Sequence, residues 1–474
     1  MSAPELRVTA VELYERPVKL RMPFRFGVVT LTEAPQVFVR ARIALADGRE
    51  GWGVAAEILA PKWFDKNLAL SNEDNFDQLR HALRLTRDAY QSGSSHQTAF
   101  GLFASHYRNL LAEGARHGLE PLVMSFGPAQ IDRAVADALC RILDISFYKA
   151  VQGNLLGIDT RLASDLAGFD MTRFLASLMP SQHISARHTV GLVDVIAGHP
   201  GQVNDGLPES LEEVVATYGH TWFKLKVGGN IEADIARLME IASVLDSRPV
   251  PYQVSLDGNE QYDDLEQLLG LWRRMQEAPR LARLVSSTAF IEQPINRKHA
   301  LDRDISALSS VRPVIVDESD GDLDAFPIAR RLGYSGVSSK CCKGFYKSLI
   351  NLARCAQSNS VSGNRYFMTA EDLTTQAGVA VQQDLALVSL MGLSHVERNG
   401  HHYANGMAAA SQNEQQAFLS AHPDLYRRTD GVVRLAIQDG DLSIGSLACA
   451  GFATGVLPDF SSMSASPEPA IRSV

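Results

Sequence analysis

Apolar and polar positions change their rhythm once along the chain. Over residues 5–57 they alternate in two β-rich runs, "LRVTAVELYERPVKL" and "QVFVRARIALADGREGWGVAAE", the second containing the turn pair Asp47-Gly48. Between them "RMPFRFGVVTLTEA" reads as a loop with aromatic residues and a glycine hinge. From about 65 to 120 the spacing becomes helical, as in "NFDQLRHALRLTRDAYQ" and "AFGLFASHYRNLLAEGARHG", and a further helix is predicted over "PAQIDRAVADALCRILD". This first part is α+β.

After about residue 188 short apolar runs alternate with amphipathic helical stretches. The runs are "HTVGLVDV", "WFKLKV", "YQVSLDGNE", "TAFIEQPI", "PVIVDES", "YSGVSSK", "YFMTAED" and "SHVERNG"; segments such as "NIEADIARLMEIASVLDSR" separate them. Strand–helix alternation implies parallel βαβ units. Eight runs at a mean spacing of roughly 30 residues suit a closed (β/α)8 barrel of about 250 residues better than an open doubly wound sheet. No glycine-rich phosphate loop follows any run, which argues further against a nucleotide-binding sheet.

Composition narrows the function classes. The 474-residue chain carries a net charge of −9 and no Lys/Arg block, so nucleic acid is not an expected partner. The N-terminus lacks a continuous apolar h-region, and no stretch approaches the roughly 20 apolar residues of a membrane span. No membrane partner and a cytoplasmic location are expected. Five cysteines, two of them adjacent (Cys341, Cys342), read as reduced, inert thiols rather than a disulfide framework. The ending "SSMSASPEPAIRSV" is small, polar and proline-containing, and disorder is expected from about 461.

Charge then changes the picture of the barrel. Nearly every apolar run ends in ionisable side chains: Lys224 and Lys226, Asp257, Glu292, Asp317 with Glu318, Lys340, Glu371 with Asp372, and Glu397. One such residue is ordinarily the first solvated position of a loop. Carboxylates on three successive strands, with lysines on both sides, are harder to ascribe to chance. In a barrel these ends meet on the rim that carries active sites. Asp257, Glu292 and Asp317 are hard oxygen donors with no histidine or cysteine nearby, a set suited to Mg2+ and not to zinc. Lys224 and Lys226 alternate on one strand and so face the same side. Of Asp317 and Glu318, alternation lets only one face the barrel axis.

The motifs "FKLKVGG", "LDGNEQY", "FIEQPI", "VIVDES" and "VSSKCCKGF", in this order, resemble the KxK, DxN, ExP, third-metal and lysine-bearing strands of the enolase superfamily, in its muconate cycloisomerase and mandelate racemase branch. Upstream, "AVADALCRILDISFYKAVQGNLLG" is similar to that family's helix joining cap to barrel, and "PFRFG" and "ADGREGWGVAAE" to the cap's specificity loop and hairpin. The resemblance implies an enolase-like (β/α)8 barrel over 131–405. An α+β capping domain over 1–130 covers it, completed by a C-terminal segment over 406–474 that returns to the cap. It also implies a single Mg2+, with Mn2+ as a substitute, on Asp257, Glu292 and Asp317. Lys226 becomes the base on one substrate face, with Lys224 beside it on the substrate carboxylate, and Lys340 stands on the opposite face. Substrate contacts are implied from Asn259, Arg25 and Phe26, and segments 21–28 and 57–64 are the candidate specificity loops. A homo-oligomer acting on a small carboxylic acid is the expected form.

The charges give that reading its chemistry. A C–H beside a carboxylate is barely acidic because ionisation gives a dianion-like enolate, whose charge a cation and ammonium groups offset. A lysine acting as base at neutral pH needs a pKa about 3 below its free value; burial, a dication and a second lysine all push that way. The seventh run has no histidine, which favours two lysines over the racemase arrangement. Glu397 in "SHVERNG" resembles the racemase-branch glutamate that hydrogen-bonds the substrate carboxylate; the other reading is a structural glutamate. No Asp-x-Asp stands on the eighth run, against a dipeptide epimerase. His401 and His402, just past the barrel, are expected at the surface or in packing. The expected function is proton abstraction α to a carboxylate by an enzyme of the lyase or isomerase type. Its outcome is racemisation or epimerisation, cycloisomerisation or dehydration. The alternative is a non-catalytic carboxylate-binding barrel or scaffold.

Overall fold

In a computed structural model that describes residues 2–26, 29–363 and 365–470, the chain opens with an antiparallel meander of β1 (Leu6–Phe26), β2 (Val29–Leu45) and β3 (Glu50–Ile58). Alternation drives it: Val37, Val39, Ala41 and Ile43 share one face of β2 and are all fully buried. The Asp47-Gly48 turn joins β2 to β3, with Gly48 at φ 89°. The stretch expected as a loop is instead the far end of the β1–β2 hairpin, where Phe24 still pairs with Leu31 and Phe26 with Val29. Gly27 and Val28 of the candidate specificity loop lie outside the described residues.

Three helices cover this sheet: α1 (Asn72–Ser92), α2 (Ala99–Arg116) and α3 (Pro121–Ile142). A capping box starts α1, Ser71 and Asp74 each accepting from the other's backbone N–H. α3 begins at Pro121 and runs through Pro128, the residue where the proline suggested a start. Every residue from Leu122 to Cys140 except Ser125 is buried, and that packing outweighs the N–H missing at Pro128. α3 crosses the expected boundary at 130/131 and packs on β3 and α1.

Eight parallel strands follow: β4 (His183–Val190), β5 (Trp222–Lys226), β6 (Gln253–Asp257), β7 (Thr288–Glu292), β8 (Val314–Val316), β9 (Gly336–Ser339), β10 (Phe367–Ala370) and β11 (His395–Arg398). They pair in chain order from β4 to β10, and β11 pairs with β4 to close the (β/α)8 barrel. β4 begins earlier than the run at 188 and stops where Gly191 turns, its N–H donating to Asp194 at 2.7 Å. Amphipathic helices such as Ile231–Asp246 and Leu265–Glu277 lie between the strands.

The C-terminal segment touches both parts. A hairpin of β12 (Tyr426–Thr429) and β13 (Val432–Leu435) precedes β14 (Ile437–Gln438) and β15 (Asp441–Ser443), and β15 adds antiparallel to β4. The chain then reaches the cap, where β16 (Ser464–Ala465) pairs with β1 at Glu15 and Tyr14. Disorder from about 461 was expected on composition; through residue 470 the tail is ordered instead. Its polar groups find partners: the Ser466 N–H donates to the Leu13 carbonyl at 2.9 Å, and Arg84 donates to the Ser466 and Pro467 carbonyls. Among the described residues no helix is long and apolar enough to cross a membrane.

Candidate active site

Barrel register brings the charged strand ends together. Lys226, Asp257 and Glu292 are consecutive cross-strand partners on β5, β6 and β7, so their side chains leave the sheet on one face. Asp317 and Lys340 stand one residue beyond β8 and β9, Glu371 one beyond β10, and Glu397 lies within β11. All seven are buried, as is Lys224. Because β8 ends at Val316, strand alternation does not constrain the next two residues: Glu318 also turns inward, accepting from Asn259 Nδ2 at 2.9 Å.

The lysines are held by carboxylates. Lys224 Nζ lies 2.9 Å from Asp257 and Glu292 and 3.0 Å from Glu371 and Glu397. Lys226 Nζ donates to Asp257 at 2.6 Å and to Asn259 Oδ1 at 2.5 Å. Lys340 Nζ donates to Asp317 at 2.6 Å and sits 4.2 Å from the centre of the Trp63 ring. Burial opposes charge on Lys224, yet its four carboxylates raise it well above the ordinary lysine range. Lys340 is raised too, burial being outweighed chiefly by Asp317. Lys224 and Lys340 are thus raised rather than lowered, because the carboxylates around each outweigh its burial. The carboxylates respond unequally. Asp317 falls well below its usual range, burial being overcome by Lys340 and Lys343, and Glu371 falls to about 2 through Arg187 and Lys224 against burial. Glu292 rises well above, through burial and then the nearby Asp257 and Glu371.

That imbalance bears on a cation. Among the described residues Glu292 Oε2 and Glu318 Oε2 are buried with no hydrogen-bond partner, and negative charge near Glu292 adds to its rise. Asp257, Glu292 and Asp317 thus suit a hard divalent ion by donor type, with Glu292 the member whose charge is least compensated. Ammonium groups stand among them, and the described cluster whose ligand atoms all lie within 4.8 Å of one another is a different one, His188, His220 and His401.

Residues 206–360 match the family model for an enolase C-terminal domain-like region. Over those residues the chain is similar to the enolase superfamily. No curated protein matches it. Among solved structures, the chain is similar in fold to a dipeptide epimerase from Enterococcus faecalis, at 14% identity and TM-score 0.59, covering 94% of this chain and 99% of that one. A muconate lactonizing enzyme from Pseudomonas fluorescens shares 18% identity at TM-score 0.58, with 96% and 98% covered. A putative sugar isomerase from Streptomyces coelicolor shares 16% identity at TM-score 0.58, with 94% of each chain covered.

Within this fold a narrow cavity separates barrel from cap. Lys224, Lys226, Lys340, Glu397 and Asn259 line it from the barrel; Phe24, Phe26, Leu31, Ala60 and Trp63 line it from the cap. Phe26, a candidate substrate contact, lines this cavity, and Arg25 does not. On β1 its side chain points the opposite way from Phe24 and Phe26 and is exposed, as a period of two requires. Phe24 stands in its place. Cys342 is not among the lining residues, and burial pushes its thiol up. Arg187 went unread because it precedes the apolar run at 188; it reaches Glu371 and the Ala370 carbonyl from β4. Lys343 was visible in "CCKG" but unassigned; its Nζ lies 3.3 Å from Asp317 and 3.2 Å from Asp320.

Proposed function

We propose that this protein removes the proton α to the carboxylate of a small organic acid, using Mg2+ and two lysines. The observation that carries the reading is the shared cavity: Lys226 and Lys340 both line it, with Lys224 and Glu397 between barrel and substrate space. Asp257, Glu292 and Asp317 would hold the ion, which when bound neutralises the charge building up on the substrate carboxylate. Lys226 Nζ takes the α-proton from one face and Lys340 Nζ returns one to the other, an arrangement suited to racemisation or epimerisation. Cycloisomerisation and dehydration share the first step. Lys224, kept charged by its carboxylates, donates to the substrate carboxylate.

The cap side of the cavity narrows the substrate. Phe24, Phe26, Leu31, Ala60 and Trp63 offer no side-chain partner for sugar hydroxyls apart from the indole N–H. This favours an acid with an apolar distal group over an acid sugar.

The test is α-proton exchange in D2O with Mg2+ and a library of carboxylic acids, read by mass spectrometry. Deuterium uptake is expected for at least one acid, falling by about 10²–10⁴-fold in Lys226→Ala and in Lys340→Ala. An acid that binds but never exchanges would favour the carboxylate-binding barrel; near-normal exchange in both variants would remove the two-lysine scheme.

A further inference from the structure

Strand alternation divides β4 between two environments. Arg187 and Thr189 reach inward to Glu371 and Glu397, so His188 between them points outward, toward the helix layer. There it meets His220, from the turn before β5, and His401, from the short helix Gly400–Tyr403 that follows β11. Ring centroids are 5.4 Å apart for His188 and His220, 5.4 Å for His188 and His401, and 5.2 Å for His220 and His401. One nitrogen from each ring lies within 4.8 Å of the other two.

Their hydrogen bonding is incomplete in an informative way. His220 Nδ1 lies 2.8 Å from the Ala186 carbonyl, which only accepts, so Nδ1 carries the hydrogen and Nε2 keeps its lone pair. Among the described residues that Nε2 is buried without a partner, as are His188 Nδ1 and both nitrogens of His401. Burial, reinforced by neighbouring imidazoles, holds His188 and His401 well below the usual histidine range, and burial lowers His220 to about 4. Neutral rings offer lone pairs. Two of the nearby guanidiniums are matched, Arg21 by Asp205 and Arg398 by Asp372 and Asp384, while Arg248 donates to the His220 carbonyl at 3.3 Å. His401 also lines a cavity of about 110 Å³ bounded by Pro208, Tyr218, Thr375 and Arg427, which gives a route in and room for a fourth ligand.

We propose that His188, His220 and His401 form a second metal site, outside the barrel, for a borderline divalent transition ion of the Zn2+ class. Three imidazole nitrogens with one open position suit such an ion, whereas Mg2+ wants oxygen. The Ala186 carbonyl is the outer partner that fixes one ligand's tautomer. The site joins the first strand, the turn before the second and the segment after the eighth, and so would brace the seam where β11 closes onto β4.

The experiment uses the full chain, stripped with EDTA and titrated with Zn2+ in excess Mg2+, which occupies oxygen sites; bound zinc is counted by elemental analysis. One equivalent is expected, with affinity weakened by about 10–100-fold in His401→Ala and in His220→Ala. Affinity should stay unchanged in His402→Ala and in Asp257→Asn. Failure of the unmutated protein to take up zinc, or equal affinity in His401→Ala, overturns the proposal; loss in Asp257→Asn instead moves the zinc to the carboxylates and overturns it too. If the histidine variants do not fold, Co2+ added to the unmutated protein decides. Visible d–d bands of nitrogen ligation support the site, and an oxygen-only spectrum refutes it.

Discussion

Glu57 is a carboxylic acid closed inside the seam between cap and barrel, 3% exposed, with an Arg133 guanidinium nitrogen 3.4 Å from Oε2. Burial raises its pKa to about 7, Arg133 opposing and Asp384 and Asp372 adding to the rise. An acid that ionises later in the folded chain than in the unfolded one binds more protons when folded. Stability is therefore lost as pH climbs from the unfolded value near 4.5 toward 7, and does not return above it. Glutamine keeps the shape and never ionises. The difference in unfolding free energy between Glu57→Gln and the unmutated protein should favour the variant by under about 1 kcal/mol at pH 5 and by about 3 kcal/mol at pH 8. Urea titrations at those two pH values measure it. A difference independent of pH would mean that Glu57 is ionised throughout, with Arg133 as its full counter-charge.

At the scale of elements, α3 depends on two glycines where backbones touch. A Cβ on Gly53 of β3 would lie 2.2 Å from the Ala134 carbonyl oxygen and 2.2 Å from the Ala138 nitrogen; one on Gly127 would lie 2.2 Å from the Ala82 carbonyl oxygen of α1. Neither backbone can yield without moving a whole element. Gly53→Ala and Gly127→Ala should each cost about 3 kcal/mol or more, whereas Gly93→Ala, with nothing within 4 Å, should change stability by less than about 0.5 kcal/mol. Chemical denaturation of the three variants side by side checks this, and equal effects would show that the sheet can slide on α3. Elements like the barrel strands were legible because an apolar run ending in a charge stands out in a linear pattern, and Lys224, Asp257, Glu292 and Lys340 were found that way. α3 was cut short because Pro128 breaks the local rule while all-round burial, a tertiary property, overrides it. The sequence pattern of 21–26 reads as a loop, where alternation has no force, whereas in the hairpin alternation turns Arg25 away from Phe24 and Phe26. The protonation of Lys224 depends on four carboxylates from four strands, and the imidazole cluster on residues 188, 220 and 401. No local window contains either set.

Across the whole molecule, one C-terminal segment stitches barrel to cap. β15 extends the barrel sheet at β4, Glu414 receives both nitrogens of the buried Arg16 on β1 at 3.0 and 2.7 Å, and β16 then occupies the free edge of β1. Past that point Ser466 Oγ donates to Glu15 at 2.7 Å, Phe460 packs 5.2 Å from the Tyr14 ring, and the buried Arg84 takes its carbonyl partners from Ser466 and Pro467. Ending the chain after Asp459 removes all of these and leaves Arg84 without those carbonyls, while the Arg16–Glu414 pair and the barrel's own pairings remain. With each lost hydrogen bond worth about 1 kcal/mol, the cap should lose about 4 kcal/mol of stability or more. The loss should be local, since the tail touches β1 and α1 and not the inner barrel strands. Amide hydrogen exchange separates the cases: protection should fall in β1, β2 and α1 and hold in β5, β6 and β7. Faster exchange in all of them would mean that cap and barrel unfold as one unit. Unchanged exchange in β1 would mean that the tail rests on the cap without stabilising it. The cap supplies Phe24, Phe26 and Trp63 to the cavity, so a loosened cap should also weaken binding of any acid found to exchange. Lysine-dependent proton transfer on substrate that does bind should be left largely intact.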